Sequence, residues 1–284
     1  MEREKARRPQ TTKTVSECRL APTSRHNVRW GFVPEPPKYG LTLGATREML
    51  LPATMLACFA IYYLAEQPFW VVLACAIPML ALYALAPLIA KRSIANFDRD
   101  VIQLLAAGKP AALPARYARA LGMRLFAPPG LRAERRAMVL AENGDVRGAR
   151  AAYQEAHEEH AGSPPLRVLL GYAHASFAVR DDPRAIELYR KLLATSVPLP
   201  GVERNLAHAL VRSGEDLREA LTMLLRCERE PAPEPRAAEL KLLRAVAHAK
   251  LGEHARAREL MSEAGSHTDT AEIRSELQTL LETR

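Results

Sequence analysis

Hydrophobic and polar positions divide the chain into an apolar stretch near its start and a periodic region after it. Residues 49–90 contain a single charged residue, Glu66, and split into apolar runs at 49–65 and 69–90. A membrane core about 30 Å thick is crossed by ~20 helical residues, with a range of about 17–25. The two runs therefore predict a transmembrane helical hairpin. A hairpin buried in a soluble core is the alternative, and it fits less well because charged residues are so sparse.

Beyond residue 90, one amphipathic helix recurs at a nearly constant interval. Its anchor alanines are spaced by 36, 35 and 37 residues, and a large residue follows each alanine by four positions. An offset of four keeps both residues on one helical face. A second amphipathic helix precedes each of these helices, so the pattern predicts repeated helix pairs. The predicted packing anchors are Ala149, Tyr153, Ala185, Tyr189, Ala220, Leu224, Ala257 and Met261.

The stretch GDVRGARAAYQEA at 144–156 has a Gly–Asp turn, then an alanine, an aromatic residue and a small residue. Together with prolines near the repeat ends, this order resembles the tetratricopeptide repeat (TPR) family over residues 131–265. The resemblance implies an α-solenoid, in which stacked helix pairs present a concave face. In this family the first helix of each pair forms most of that face.

Carrying the concave face of the family onto this chain residue by residue gives a candidate peptide groove. Apolar members are in the majority, so the expected partner is a protein that offers apolar side chains from an extended or helical peptide. The alternative interpretation is that several of these residues belong to the core between repeats. The groove candidates are Met138, Arg167, Leu170, His174, Phe177, Asn205, Arg212, Leu242 and Val246.

These patterns predict an all-α fold, in which a two-helix transmembrane hairpin precedes a TPR-like α-solenoid and a C-terminal capping helix. The helices that follow the hairpin are predicted to be juxtamembrane helices. The alternative is that they form a divergent repeat. The predicted divisions are a basic flexible arm at 1–48, the hairpin at 49–90, juxtamembrane helices at 91–130, the solenoid at 131–265 and the capping helix at 266–284.

Charge predicts the orientation in the membrane. Residues 1–48 carry ten Lys or Arg and five Asp or Glu, the turn at 66–68 carries no basic residue, and Lys91 and Arg92 follow the second run. Basic flanks favour the cytoplasmic side, so both termini are expected there. The Ala- and Arg-rich composition suggests a bacterial inner membrane. The basic arm is a candidate for contact with anionic lipid, whereas the net charge of +8 is spread too thinly to favour nucleic acid.

The sequence predicts no catalytic, cofactor or metal site. It lacks the phosphate-loop, dinucleotide-binding, nucleophile-elbow and zinc-protease motifs. Its four cysteines have no zinc spacing. The expected function is that of a non-enzymatic, membrane-anchored scaffold that recruits or organises a cytoplasmic protein partner. The alternative is an accessory or regulatory subunit of a membrane enzyme or transport complex, which it contacts through the hairpin.

Overall fold

The computed structural model describes residues 69–160, 162–195, 197–199, 201–229, 234–265 and 270–282, together with scattered positions between 52 and 63. Within these ranges every regular element is a helix and no strand occurs. The all-α class is therefore confirmed for this part of the chain. The predicted basic arm at 1–48 and the turn at 66–68 lie outside the described residues.

The helices are labelled here in chain order, beginning at Phe69. A short 3-10 turn, Pro110–Ala112, separates the first two. Their bounds are α1 Phe69–Ala106, α2 Leu113–Arg119, α3 Leu121–Phe126, α4 Pro129–Glu142, α5 Val146–Glu159, α6 Leu166–Ala178, α7 Asp182–Leu193, α8 Val202–Ser213, α9 Leu217–Glu228, α10 Glu234–Lys250, α11 His254–Glu263 and α12 Ala271–Glu282.

Helix α1 continues without a break across the predicted boundary at residue 90. It has 38 residues, which corresponds to a length of about 57 Å at 1.5 Å per residue. Along its first half, apolar side chains such as Leu80 and Leu88 are exposed, whereas Ile94, Phe97 and Val101 in its second half are buried. In the part of the chain that the structure describes, one stretch, Ala76–Ala106, is long and apolar enough to cross a membrane. Two crossings remain a prediction.

The second half of α1 packs against α2, α3 and α4 in a small apolar core. Helix α3 lies so close to α1 that a Cβ atom at Gly122 would be 2.9 Å from Cγ2 of Ile89 and 3.1 Å from Cβ of Ser93. A side chain at position 122 would therefore push the two helices apart. The Met123 backbone N–H also donates to Oγ of Ser93 at 3.0 Å. These contacts fix α3 beside the middle of α1.

From α4 to α11 the helices form successive pairs, and each helix packs against the next one in the chain. The turn inside each pair contains a residue with a left-handed backbone. This residue is Gly144, Gly214 or Gly252 in three pairs, with φ of +83°, +81° and +84°, and Arg180 in the fourth, with φ of +64°. The turn that contains Gly214 has a second such residue, Asp216, with φ of +42°. Glycine suits this conformation because it has no Cβ to clash with the backbone.

The predicted packing anchors lie inside the stack of pairs. All of them are buried except Met261, which is half-buried and packs against the same core. The ring of Tyr153 in α5 lies directly over Gly171 in α6, where a Cβ atom would overlap it. At the far end, Leu277 of α12 is fully buried and α12 packs on α10. The last helix thus covers the apolar face that the final pair would otherwise expose.

Candidate functional site

The apolar members of the predicted groove are mostly core residues. Met138, Phe177, Leu242 and Val246 are buried, and Leu170 is half-buried. Each first helix of a pair contacts the second helices before and after it, and α4 also touches α6 as α8 touches α10. These contacts cover the side chains that were expected to face a partner. For Phe177, Leu242 and Val246, the alternative interpretation as core between repeats describes their position. Met138 lies instead in the separate core that α4 forms with α1, α2 and α3.

Three polar members of the predicted groove are half-buried and the fourth, His174, is buried. All four form contacts within the chain. Arg167 of α6 pairs with Glu134 of α4. The Asn205 amide of α8 lies 3.3 Å from Nε2 of the buried His174 in α6. Arg212 of α8 pairs with the Asp182 carboxylate at the start of α7. The predicted groove residues therefore link one helix pair to the next.

Arg212 forms the most extensive of these links. Its Nε donates to both carboxylate oxygens of Asp182, at 2.9 and 2.8 Å, and its Nη2 donates to the Phe177 carbonyl at 2.7 Å. The guanidinium group also lies 4.4 Å from the centre of the Phe177 ring. A planar guanidinium with several donors suits this combination of a carboxylate, a carbonyl and an aromatic face. Arg212 thereby attaches α8 to the end of α6 and the start of α7.

Two histidines in this region are held neutral by their surroundings. Burial lowers the pKa of His174 to about 4, and the positive charge of Arg204 acts in the same direction. Burial, with the nearby Arg212 and Arg204, lowers the pKa of His208 to about 3. The His208 ring packs against Phe177 with ring centres 5.1 Å apart. Both rings therefore serve as uncharged packing groups at neutral pH.

Acidification should destabilise the chain through His174. Its pKa of about 4 lies below the ordinary value of 6.5, so the folded state binds fewer protons than the unfolded state. The stabilisation is complete above about pH 6.5 and falls as the pH approaches 4, with a loss of about 2 kcal/mol between about pH 7 and pH 5. Chemical unfolding at the two pH values measures this loss. His174→Gln, which cannot titrate, should show a smaller pH dependence, and an unchanged dependence would contradict the assignment.

A largely buried ion network joins α1 to the stack of helix pairs. Arg135 of α4 donates from Nε and Nη2 to the two oxygens of Asp98 in α1, each at 2.8 Å. Its Nη1 lies 2.7 Å from Oε1 of Glu134, which also pairs with Arg167 of α6. The Arg135 side chain is only 3% exposed. These four residues connect α1, α4 and α6 through charges that are shielded from water.

The sequence analysis did not identify this network. Asp98 and Arg135 are 37 residues apart, and each looks like an ordinary charge on an amphipathic helix. The only signal available was position: Arg135 lies four residues after Leu131 and three before Met138, so the three share one face of the helix. Within the described residues, no group of three or more His, Cys, Asp or Glu is arranged to hold a metal ion.

Comparison with protein-family models, with curated proteins and with solved structures found no match to this chain.

Proposed function

We propose that this chain is a non-enzymatic, membrane-anchored scaffold, whose TPR-like solenoid recruits or organises a protein partner on the cytoplasmic side of a membrane. One observation carries the proposal: α1 is a single helix whose first half exposes apolar side chains and whose second half is part of a folded core. The membrane segment and the helix pairs therefore share one rigid element.

The exposed half of α1 favours a bilayer as its surroundings. Trp70 is 68% exposed and Leu88 is 63% exposed, and Ile77, Leu80 and Leu85 are exposed between them. Each large apolar side chain transferred from water to an apolar environment contributes about 1.5–3 kcal/mol. A contiguous apolar surface of this kind marks a site that a membrane or another protein covers. The 38-residue length of α1 favours a bilayer over a covering protein, because ~20 helical residues cross a membrane core.

The buried ion network supports the scaffold role. A partner held by the helix pairs would be held at a defined distance and orientation from the bilayer, because α1 enters the same core. Asp98 and Arg135 fix α1 to α4, and Glu134 and Arg167 fix α4 to α6. A flexible linker would tether a partner without orienting it.

The partner surface differs in character from the apolar groove that the sequence suggested. Leu170 and the half-buried polar side chains Arg167, Asn205 and Arg212 are the predicted groove residues that retain partial exposure. A partner that binds there has to combine a limited apolar contact with polar contacts. We therefore infer that recognition relies more on hydrogen bonds and charge than on apolar anchors.

A second candidate function is an accessory or regulatory subunit of a membrane enzyme or transport complex. The small residues Ala57, Ala60, Ala74 and Ala76 have exposed or half-exposed side chains. Small residues let membrane helices approach each other closely. In that case the apolar segment itself contacts the membrane complex, and the helix pairs regulate the activity of that complex.

Crosslinking and purification in mild detergent separate the two functions. The full chain is compared with a chain that lacks residues 143–284. The deletion starts after Glu142, because Leu131, Met138 and Val139 of α4 complete the core around α1. A scaffold loses its partners on deletion, which supports the proposal. Partners that survive the deletion bind through the membrane segment, which supports the second candidate.

Thiol labelling of intact cells tests the proposed orientation. Gln67→Cys should react with an impermeant reagent from outside, because the turn carries no basic residue, whereas Cys18 should react only after lysis. Both positions lie outside the described residues, and the expectation rests on sequence alone. A Gln67→Cys thiol that stays unlabelled until lysis would show that the first apolar run does not cross. Labelling of Cys18 in intact cells would show the inverted orientation.

A further inference from the structure

A cavity lined by three arginines lies between α2, α3, α4 and α5. Its volume is about 240 Å³, and its lining comprises Tyr117, Arg124, Arg132, Ala133, Arg136 and Glu155. Drug-sized ligands occupy pockets of about 300–1,000 Å³. The cavity therefore suits a smaller group.

The charges in this cavity favour an anion. Three arginines face a single carboxylate, that of Glu155, which pairs with Arg136. Arg132 donates from Nη1 to the Arg124 carbonyl at 3.0 Å, while its Nε is buried without a hydrogen-bond partner. Arg124 donates from Nη1 to the Ala118 carbonyl at 3.1 Å. A guanidinium has five N–H donors, so most of the donors of Arg124 and Arg132 remain available.

The aromatic wall of the cavity completes its chemistry. Tyr117 has its ring centre 6.0 Å from the Arg124 guanidinium. The Tyr117 hydroxyl donates to the Arg132 carbonyl at 3.5 Å, and burial raises the pKa of its phenol. Forked guanidinium groups are the donors that proteins use to bind phosphate oxygens. The cavity therefore offers a binding site for a phosphate group.

Helix α3 forms one wall of the cavity and contacts α1 where the exposed apolar half of α1 ends. Helix α3, which carries Arg124, contacts α1 at Ile89 and Ser93. In α1, Lys91 and Arg92 come directly after the apolar run that ends at residue 90, and both are exposed. Basic residues that flank a membrane helix lie among the headgroups.

The outer face of α3 is also suited to a position at the membrane surface, because it exposes apolar side chains. Leu121 is 59% exposed and Leu125 is 49% exposed. Their spacing of four residues places them on one side of the helix. Exposed leucines beside arginines are typical of a helix that lies at a membrane surface.

We propose that this cavity binds the phosphate of an anionic phospholipid in the leaflet that faces the helix pairs, while Leu121 and Leu125 contact the acyl-chain boundary. The inference rests on the proposed membrane placement of α1. It adds a lipid-specific site that would fix the tilt of the stack relative to the bilayer, and it is independent of the basic arm at 1–48.

The test is a binding titration on the full chain in mild detergent. Short-chain phosphatidylglycerol, short-chain phosphatidylcholine and inorganic phosphate are added separately. The altered chain carries Arg124→Gln and Arg136→Gln, both at exposed positions, so the fold should persist. The control carries Arg147→Gln and Arg218→Gln, which remove the same charge from exposed positions on α5 and α9. Circular dichroism verifies that all chains are folded.

The unaltered chain should bind phosphatidylglycerol at least tenfold more tightly than phosphatidylcholine or inorganic phosphate. The cavity variant should lose roughly 30-fold in its affinity for phosphatidylglycerol. Each basic residue near an anionic surface contributes about 1 kcal/mol, and two residues are removed. The control should lose little. Equal losses in both variants would overturn the site. Equal affinity for inorganic phosphate would overturn the lipid assignment in favour of a free phosphate. Lipid binding lost only in the cavity variant supports the site even if thiol labelling shows that the first apolar run does not cross the membrane.

Discussion

Arg135→Ala is expected to lower the free energy of unfolding by about 3 kcal/mol, because it removes the basic partner of the half-buried Asp98 and one of the two basic partners of the buried Glu134. Arg135 is the only residue of the described network that contacts both Asp98 and Glu134. Removing it leaves the 7%-exposed side chain of Glu134 with Arg167 alone and leaves Asp98 without the two hydrogen bonds that attach α1 to α4. Chemical denaturation of the full chain in detergent, followed by far-ultraviolet circular dichroism, measures the loss.

The neighbouring position provides the control. Arg136→Ala removes the same type of side chain, but Arg136 is exposed and pairs with Glu155 at the surface. Exposed ion pairs contribute about 0–1 kcal/mol, so this variant should be nearly as stable as the original chain. Similar losses for the two variants would mean that the network around Arg135 is accessible to water.

Ala185→Asp should destabilise the stack of helix pairs by more than about 3 kcal/mol, because it places a carboxylate where no partner or water is available. Ala185 lies in α7, is completely buried, and belongs to the large core that includes Tyr189 and Leu206. The larger side chain also has no space between α7 and its neighbours. Thermal and chemical unfolding of the variant measure the effect.

Glu187→Ala, two positions along the same helix, is the matched control. The Glu187 side chain is 43% exposed and pairs with Lys191 and Arg184, which keeps its pKa below the ordinary value. Because these pairs lie in water, their loss should change stability by less than about 1 kcal/mol. Equal shifts for Ala185→Asp and Glu187→Ala would show that the assigned buried face of α7 is wrong.

Helix positions and buried anchors could be read from the sequence because they depend on local periodicity. Ala149, Ala185, Ala220 and Ala257 are fully buried, as the recurring stripe requires. Each of these alanines lies in the second helix of a pair, α5, α7, α9 or α11, as the predicted spacing places them. These features are set by residues that lie within a few turns of one another.

The extent of burial around the first helices could not be read from the sequence. Leu242 and Val246 looked like groove residues because a helix carries apolar side chains in the same way whether a neighbour or a partner covers them. In the structure they are buried, because second helices pack on both sides of α10 and α8 touches it as well. The number of neighbours around a helix is a property of the stack, and the periodicity of one helix does not contain it.

The sequence by itself determined the all-α class, the apolar character of residues 69–90, the spacing of the pairs and the small residues at their contacts. Tertiary structure decided that α1 passes from exposed apolar surface into a folded core. It also decided that Asp98 meets Arg135 and that Arg124, Arg132 and Arg136 share one cavity. The physical reason is range. Helical periodicity and turn chemistry act over a few residues, whereas ion pairs and cavities join residues that are distant in sequence, and only the packing of the helices brings them together.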